Sequence, residues 1–220
     1  MRTLRHFGLL AGGVVALLAA APASSQNAPT RDDIVAKLEK YQSDLTLDVP
    51  ALRQQVTERS KSRGKTEPPP QKRPPIAPDL NQLPAFNVDI SFDVDTPIVQ
   101  PESYQTVGRI ADALVHSSLL PYTFLIVGHI EANGKREANA ILSQRRADAL
   151  REILVNTFKI SAKRIQSVGL GEEQLLDSAR PTAPANNQLQ IMTLAKIPEQ
   201  AEQPAAATPA AKKQPAKKKR

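Results

Sequence analysis

Apolar residues recur along the middle of this chain at two spacings, and these spacings predict strands and helices in alternation. Every second residue of 86–94 is apolar, which is typical of a half-buried strand. Segment 122–127 is continuously apolar, which indicates a strand covered on both faces. Between these strands, Pro101 precedes a predicted helix whose apolar stripe is Val107, Ile110, Ala111 and Leu114.

The same alternation continues in the second half of this region. A long helix is predicted at 135–158, with the apolar stripe Ile141, Leu142, Leu150, Ile153 and Leu154. Short strands are predicted at 164–168 and at about 189–195. The pattern predicts an α+β fold, a two-layer α/β sandwich with one mixed sheet of about four strands and two main helices on one face. Right-handed crossovers would make the first and second strands, and the second and third, parallel.

The N-terminal segment 1–23 has the layout of a secretory signal peptide. Arg2 and Arg5 precede an uncharged apolar run at 9–20, and small residues on either side of Pro22 form a cleavage site. The apolar run is short for a helix that spans a bilayer, and an uncleaved N-terminal anchor is the alternative. On either interpretation we expect the rest of the chain to be exported.

Composition indicates that the folded domain occupies only part of the chain. The 220 residues include 19 prolines and 9 glycines, and only 4% are aromatic. Segment 24–64 has a thin apolar stripe. We predict a weakly helical, loosely ordered spacer, with a domain-docking or membrane-surface element as the alternative. Segment 65–79 is predicted to be a proline-rich linker that acts as a stiff tether. The α+β domain is therefore assigned to 80–196.

The C-terminal segment 197–220 is rich in alanine, proline and lysine, and we predict a disordered basic tail. The formal net charge of the chain is +7. In an exported protein the available polyanions are lipid headgroups, lipopolysaccharide phosphates and anionic wall polymers, so nucleic acid is not an expected partner. A tail that only keeps the protein soluble is the alternative.

The residue types argue against several classes of catalytic and metal site. The chain has no cysteine, which excludes disulfides, thiolate metal sites and cysteine nucleophiles. Its three histidines, His6, His116 and His129, are scattered along the sequence. No two residues are spaced as a general acid and base. We therefore expect a non-catalytic binding domain without a metal or other cofactor.

Segment 128–147 carries the densest set of candidate binding residues. It begins where a buried strand ends and continues into the long helix, a position at which α/β layers often bind ligands. Glu131 lies in the turn, and helical spacing places Asn139, Ser143 and Arg146 on one face. The stem of Arg146 would cover the edge of the core while its head reaches water, or the head would bind an anion. Periodicity alone favours the first interpretation.

Segment 128–147 reads GHIEANGKREANAILSQRRA and resembles the central motif of the OmpA-like domain. That motif runs G-H-T-D, then a loop with glycine, then N-x-x-L-S-x-x-R-A. The matching positions in register are Asn139, Leu142, Ser143, Arg146 and Ala147. The resemblance covers about 80–195 and places the chain beside OmpA C-terminal domains, peptidoglycan-associated lipoproteins and MotB-type stator proteins.

The resemblance implies non-covalent binding of peptidoglycan in the periplasm and a link between the cell wall and the outer membrane. The implied ligand is the diaminopimelate residue of the stem peptide. The Arg146 guanidinium would bind its carboxylate and the Glu131 carboxylate its ammonium, with Asn139 and Ser143 beside them.

Departures from the motif support an alternative function. Ile130 and Glu131 stand where the family has Thr-Asp, and Asn187 and Gln188 stand where it has two arginines. A degenerate OmpA-like scaffold would bind little peptidoglycan. It would contact outer-membrane proteins or an anionic envelope surface through its basic tail.

Overall fold

The computed structural model describes residues 28–41, 45–62 and 67–197, which contain one mixed four-stranded sheet with helices on both faces. The predicted α+β class is therefore confirmed. The predicted signal peptide at 1–23 and nearly all of the predicted tail at 197–220 lie outside the described residues. Among the described helices, none combines the length and the apolar character that a membrane span requires.

The strands of the sheet are β1 (Ala85–Val88), β2 (Tyr122–His129), β3 (Ile165–Gly171) and β4 (Leu189–Lys196). Their order is β1-β4-β2-β3, so β1 and β3 form the edges. β4 is antiparallel to β1 and to β2, whereas β2 and β3 are parallel. β1 and β2 thus run in the same direction, as predicted, although β4 lies between them.

The α-helices of the described residues are α1 (Arg31–Leu38), α2 (Val49–Lys61), α3 (Tyr104–Leu114) and α4 (Arg136–Glu152). α4 continues into a π-helical turn, Ile153–Thr157, and so ends close to residue 158, where the predicted helix ends. The predicted stripe of α3 is buried in full: Val107, Ile110, Ala111 and Leu114.

Helices α1, α3 and α4 pack on one face of the sheet, which confirms the prediction of two main helices on one face. α4 approaches the strands very closely. A Cβ atom at Gly128 would lie 2.4 Å from the Ser143 carbonyl oxygen, and one at Gly169 would lie 2.0 Å from the Gln144 backbone nitrogen. Glycine at these two positions therefore allows direct contact between the helix and strand backbones.

Side chains take the place of a fifth strand along the free edge of β3. The Gly169 amide donates to Gln144 Oε1 of α4 at 2.8 Å. Arg53 of α2 donates to the Ser167 carbonyl oxygen at 2.6 Å. These bonds satisfy backbone groups that would otherwise remain open to pairing with another chain.

Helices α1 and α2 lie against the sheet, so the expectation of a loosely ordered spacer at 24–64 is wrong for both. α1 packs beside α3 and β1, whereas α2 covers the opposite face of the sheet. Their buried apolar residues are Ile34, Val35 and Leu38 in α1 and Val49, Leu52 and Val56 in α2. The stripes are thin because each helix buries one narrow face against apolar groups that the domain supplies.

The proline-rich segment also packs on the domain in its described part, 67–79, instead of extending as a free tether. Ala77 and Leu80 are buried on the same face of the sheet as α2. Arg73 pairs with Glu172 at 2.8 Å. Proline prevents this segment from joining a sheet, but it does not prevent packing. The boundary expected near Leu80 therefore does not separate the segment from the domain.

Two expectations about individual elements are also wrong. The strand predicted at 86–94 ends at Val88 and resumes only as an isolated bridge between Phe92 and Val99, because the chain folds back into a hairpin. Ile141 of α4 is 48% exposed rather than buried. The face of α4 that meets the sheet is instead partly polar.

Candidate ligand-binding site

The loop 130–135 follows β2 at the carboxyl end of that strand and forms the first part of the site. The Ile130 amide donates to the Gly171 carbonyl oxygen at 3.0 Å, and the Ala132 amide donates to the Pro181 carbonyl oxygen at 2.9 Å. These bonds attach the loop on one side to the end of β3 and on the other to the chain that leads into β4.

Glu131 projects from this loop and is only half-buried. Within the described residues its carboxylate has no hydrogen-bond or ion-pair partner. A carboxylate whose backbone is held in place and whose oxygens are unpaired is available to a cationic group from outside the protein.

Arg146 of α4 forms the second part of the site, and three groups hold its guanidinium. The guanidinium carbon lies 4.8 Å from the centroid of the Phe92 ring. Nε donates to the Thr96 carbonyl oxygen at 3.1 Å, and Nη1 donates to Asn187 Oδ1 at 2.9 Å. A guanidinium held by a ring and two acceptors is fixed in orientation, unlike a solvated head at the edge of the core.

Donors of the Arg146 fork remain available. Nη2 makes no hydrogen bond to the described residues, and no fully buried side-chain nitrogen or oxygen among these residues lacks a partner. Nη2 therefore reaches solvent. Burial lowers the pKa of Arg146, and the charge of Asp95 partly opposes this shift. The guanidinium is thus a partly desolvated cation without an ion-paired carboxylate in the described structure, and such a group attracts an anion.

The hairpin that holds Arg146 comes from the segment predicted to continue β1. The Asp93 amide donates to the Ile98 carbonyl oxygen at 2.9 Å, which closes the hairpin. Asp95 at its tip has φ 54°, in the left-handed region. Val94 is 87% exposed on the same hairpin. The periodicity of 86–94 gave no sign that this segment would fold over an arginine far along the chain.

Glu131 and Arg146 lie at the same end of the sheet. β2 and β4 pair at Gly128 and Leu189. Glu131 therefore follows the pairing on the β2 side, and Asn187, which holds Arg146, precedes it on the β4 side. The strand ends bring an unpaired carboxylate and a partly open guanidinium to one edge of the domain.

Asn139 and Ser143 are buried beneath this edge, and their side chains hold the backbone. Ser143 is fully buried, its hydroxyl donates to the Ala140 carbonyl oxygen at 2.9 Å, and it accepts from the Gly171 amide at 2.8 Å. Asn139 Nδ2 contacts the Glu131 carbonyl oxygen at 3.2 Å. The structure therefore places both residues behind the site, where they support its loops.

A cluster of ion pairs around two buried glutamates, which the sequence did not reveal, lies next to Asn139. It is defined by Glu67, Glu172, Glu173, Arg59, Arg73 and Arg136. The hydrogen bonds that Arg136 donates to Glu173 are the main cause that raises the pKa of Arg136. The cluster joins α2, the proline-rich segment and α4 to the loop after β3. The adjacent glutamates after Gly171 were the only local signal for it.

Comparisons with known proteins match the part of the chain that contains the candidate site. Residues 91–188 match the model of the OmpA family. The matched residues are somewhat less than half of the chain, and they contain α3, β2, α4 and β3. The resemblance inferred from the 128–147 motif is therefore confirmed.

Similar proteins belong to two groups with envelope-related names. Outer membrane porin F of Pseudomonas aeruginosa is 31% identical over 105 residues, which are 45% of this chain and 29% of the porin. The peptidoglycan-associated lipoprotein of Brucella melitensis is 32% identical over 85 residues, which are 39% of this chain and 49% of the lipoprotein. The match therefore spans less than half the length of either relative.

One solved structure that the chain matches in part is the OmpA-like domain of FopA1 from Francisella tularensis. It has a TM-score of 0.42 and 15% sequence identity, and the match covers 49% of this chain and 71% of that one.

Proposed function

We propose that this OmpA-family domain is a non-catalytic, periplasmic module that binds the diaminopimelate residue of the peptidoglycan stem peptide. Through this contact the protein would link the cell wall to the outer membrane. The observation that carries the proposal is the partly open guanidinium fork of Arg146 at the same end of the sheet as the unpaired carboxylate of Glu131.

The chemistry of the two residues matches the ends of an amino acid. A guanidinium fork binds a carboxylate through parallel hydrogen bonds, and partial desolvation strengthens them. A carboxylate binds an ammonium by charge and hydrogen bonding. Diaminopimelate carries carboxylates and ammonium groups at both ends of a short chain, so one of its ends would satisfy both residues. We assign Asn139 and Ser143 supporting roles in this site.

The relatives support the location and the partner. One is named an outer membrane porin and another a peptidoglycan-associated lipoprotein. The match covers 29% of the first protein and 49% of the second. The role of the whole chain is therefore part of the proposal.

The test is co-sedimentation of the chain without segment 1–23 with isolated peptidoglycan sacculi, at low and at high salt. Arg146→Ala should abolish pelleting that resists salt. Arg145→Ala is the matched control, because Arg145 is an exposed neighbour on α4 without a hydrogen bond among the described residues. Equal pelleting by both variants and the parent chain would refute the assignment of Arg146 to the binding site.

The charge distribution favours the second candidate, a scaffold that contacts anionic surfaces through its tail. The described residues contain as many acidic as basic side chains, so the net charge of +7 lies in the remaining segments. Removal of 212–220 should then abolish envelope association. An association that persists at high salt would contradict this candidate, because exposed charges are screened.

A further inference from the structure

We propose that Arg73, in the proline-rich segment, is a positioning residue for the loop 130–135 and so couples the segment that precedes the domain to ligand binding. This inference rests on the proposed function. It concerns a residue outside the matched family region, and it assigns the segment a role beyond that of a tether.

An unbroken series of contacts joins Arg73 to the loop. Arg73 Nη1 lies 2.8 Å from Glu172 Oε1. The other oxygen of the same carboxylate, Oε2, accepts from Asn139 Nδ2 at 2.9 Å. Asn139 Nδ2 also lies 2.9 Å from Asn133 Oδ1 and 3.2 Å from the Glu131 carbonyl oxygen. Glu172 is thus shared between the proline-rich segment and the amide that holds the loop.

Burial makes each contact in this series matter. Glu172 and Asn139 are 4% and 3% exposed. A buried carboxylate is costly unless it is paired, so Glu172 depends on the Arg73 guanidinium. Without Arg73, the carboxylate would turn towards solvent or draw Asn139 after it. Either movement removes the hydrogen bond that sets the position of Asn139.

The proline-rich segment holds Arg73 in register with Glu172. The Ala77 amide donates to Gln174 Oε1 at 3.0 Å, and Leu80 is 1% exposed. Arg73 Nε also donates to the Pro68 carbonyl oxygen at 3.2 Å. Because proline stiffens the backbone, a displacement of this segment would move Arg73 instead of being absorbed locally.

The series reaches only one half of the site, which gives the inference a specific signature. Arg73 acts on the loop that carries Glu131, the proposed partner of the ligand ammonium. The guanidinium of Arg146 is held by other groups, and none of them contacts Arg73. Replacement of Arg73 should therefore lower the affinity for ligands that carry an ammonium group. The affinity for ligands that carry only carboxylates should not change.

The experiment is an NMR titration of the chain without segment 1–23 with meso-diaminopimelate and, in parallel, with pimelate, which lacks the amino groups. Arg73→Gln should lower the affinity for diaminopimelate by about tenfold. The reason is that displacement of the Glu131 carboxylate by about an ångström would remove most of its ion pair with the ligand ammonium. Pimelate binding should change by less than about twofold. Arg73→Lys should restore part of the lost affinity because it retains the charge beside Glu172.

Lys72→Gln is the matched control. Lys72 is the exposed neighbour of Arg73 in the proline-rich segment, and its side chain has no hydrogen-bond or ion-pair partner among the described residues. This variant should bind both ligands as the parent chain does. In a Glu131→Gln background, Arg73→Gln should cause no further loss, because the two residues act through one interaction. Full additivity of the two losses, or an equal loss for both ligands, would overturn the inference.

Hydrogen exchange in the ligand-free protein separates this inference from the proposed function. Arg73→Gln should accelerate exchange at the amides of Ala132 and Lys135, which lie in the loop, whereas Lys72→Gln should not. Unchanged exchange at both amides would overturn the inference even if the parent chain binds ligand. Failure of the parent chain to bind either ligand, with exchange accelerated as expected, would refute the proposed function and leave the positioning role in place.

Discussion

Replacement of Leu38 by alanine tests whether α1 is part of the domain core. Leu38 is fully buried at the end of α1, in the core formed with α3 and β1. Truncation removes apolar groups worth about 0.8 kcal/mol per methylene and leaves a cavity that adds to this loss. We expect the free energy of unfolding to fall by about 2–4 kcal/mol. A loosely ordered spacer would show almost no change.

The matched comparison is Ile141→Ala, because the sequence predicted Ile141 to be in the core and the structure leaves it 48% exposed. Alanine is the better helix former, so the change should stay within about 0.5 kcal/mol. Urea unfolding followed by far-ultraviolet circular dichroism suits a chain without tryptophan. A larger loss for Ile141→Ala than for Leu38→Ala would refute the packing described for α1 and α4.

Two further predictions concern the packing of α4 and the buried histidine. Gly169→Ala should destabilise the domain by about 2–3 kcal/mol in urea unfolding, because its Cβ would meet α4. Gly108→Ala, whose Cβ would meet nothing within 4 Å, should be neutral or should stabilise α3 by up to about 1 kcal/mol; equal losses would contradict the contact. Burial lowers the pKa of His129 from its ordinary value of 6.5, so the unfolded chain binds the extra proton and stability should fall as pH drops below about 6.5. The free energy of unfolding, measured below about pH 6.5, should depend less on pH in His129→Gln than in the half-buried control His116→Gln. Equal pH dependence in the two variants would refute the lowered pKa of His129.

The ion-pair cluster beside the candidate site shows most clearly why some contacts could not be predicted from the sequence. Arg73 and Glu172 are 99 positions apart, and Arg136 and Glu173 are 37 apart. No local spacing relates such residues, and charged residues are usually interpreted as solvated. Only the path of the chain over the sheet brings them together, and burial then makes their pairing important.

The four residues predicted for the candidate site fall into two pairs in the structure. The resemblance to the motif predicted Arg146 and Glu131 as ligand contacts, and the structure brings these two residues to one end of the sheet. It predicted Asn139 and Ser143 as ligand contacts as well, and the structure buries both of these side chains. A motif records which side chains occur together, whereas their hydrogen-bond partners depend on which backbone groups the fold leaves unpaired.

The order and type of the elements from α3 to β4, the apolar stripe of α3 and the resemblance to the OmpA family could all be predicted from the amino-acid sequence. These features arise from spacings within a few residues, where the period of a helix or strand selects one face. The packing of α1, α2 and the proline-rich segment on the sheet, and the hairpin that holds Arg146, became visible only in the folded chain. A thin apolar stripe does not specify its partner, because the surface that buries it comes from residues far away in the chain.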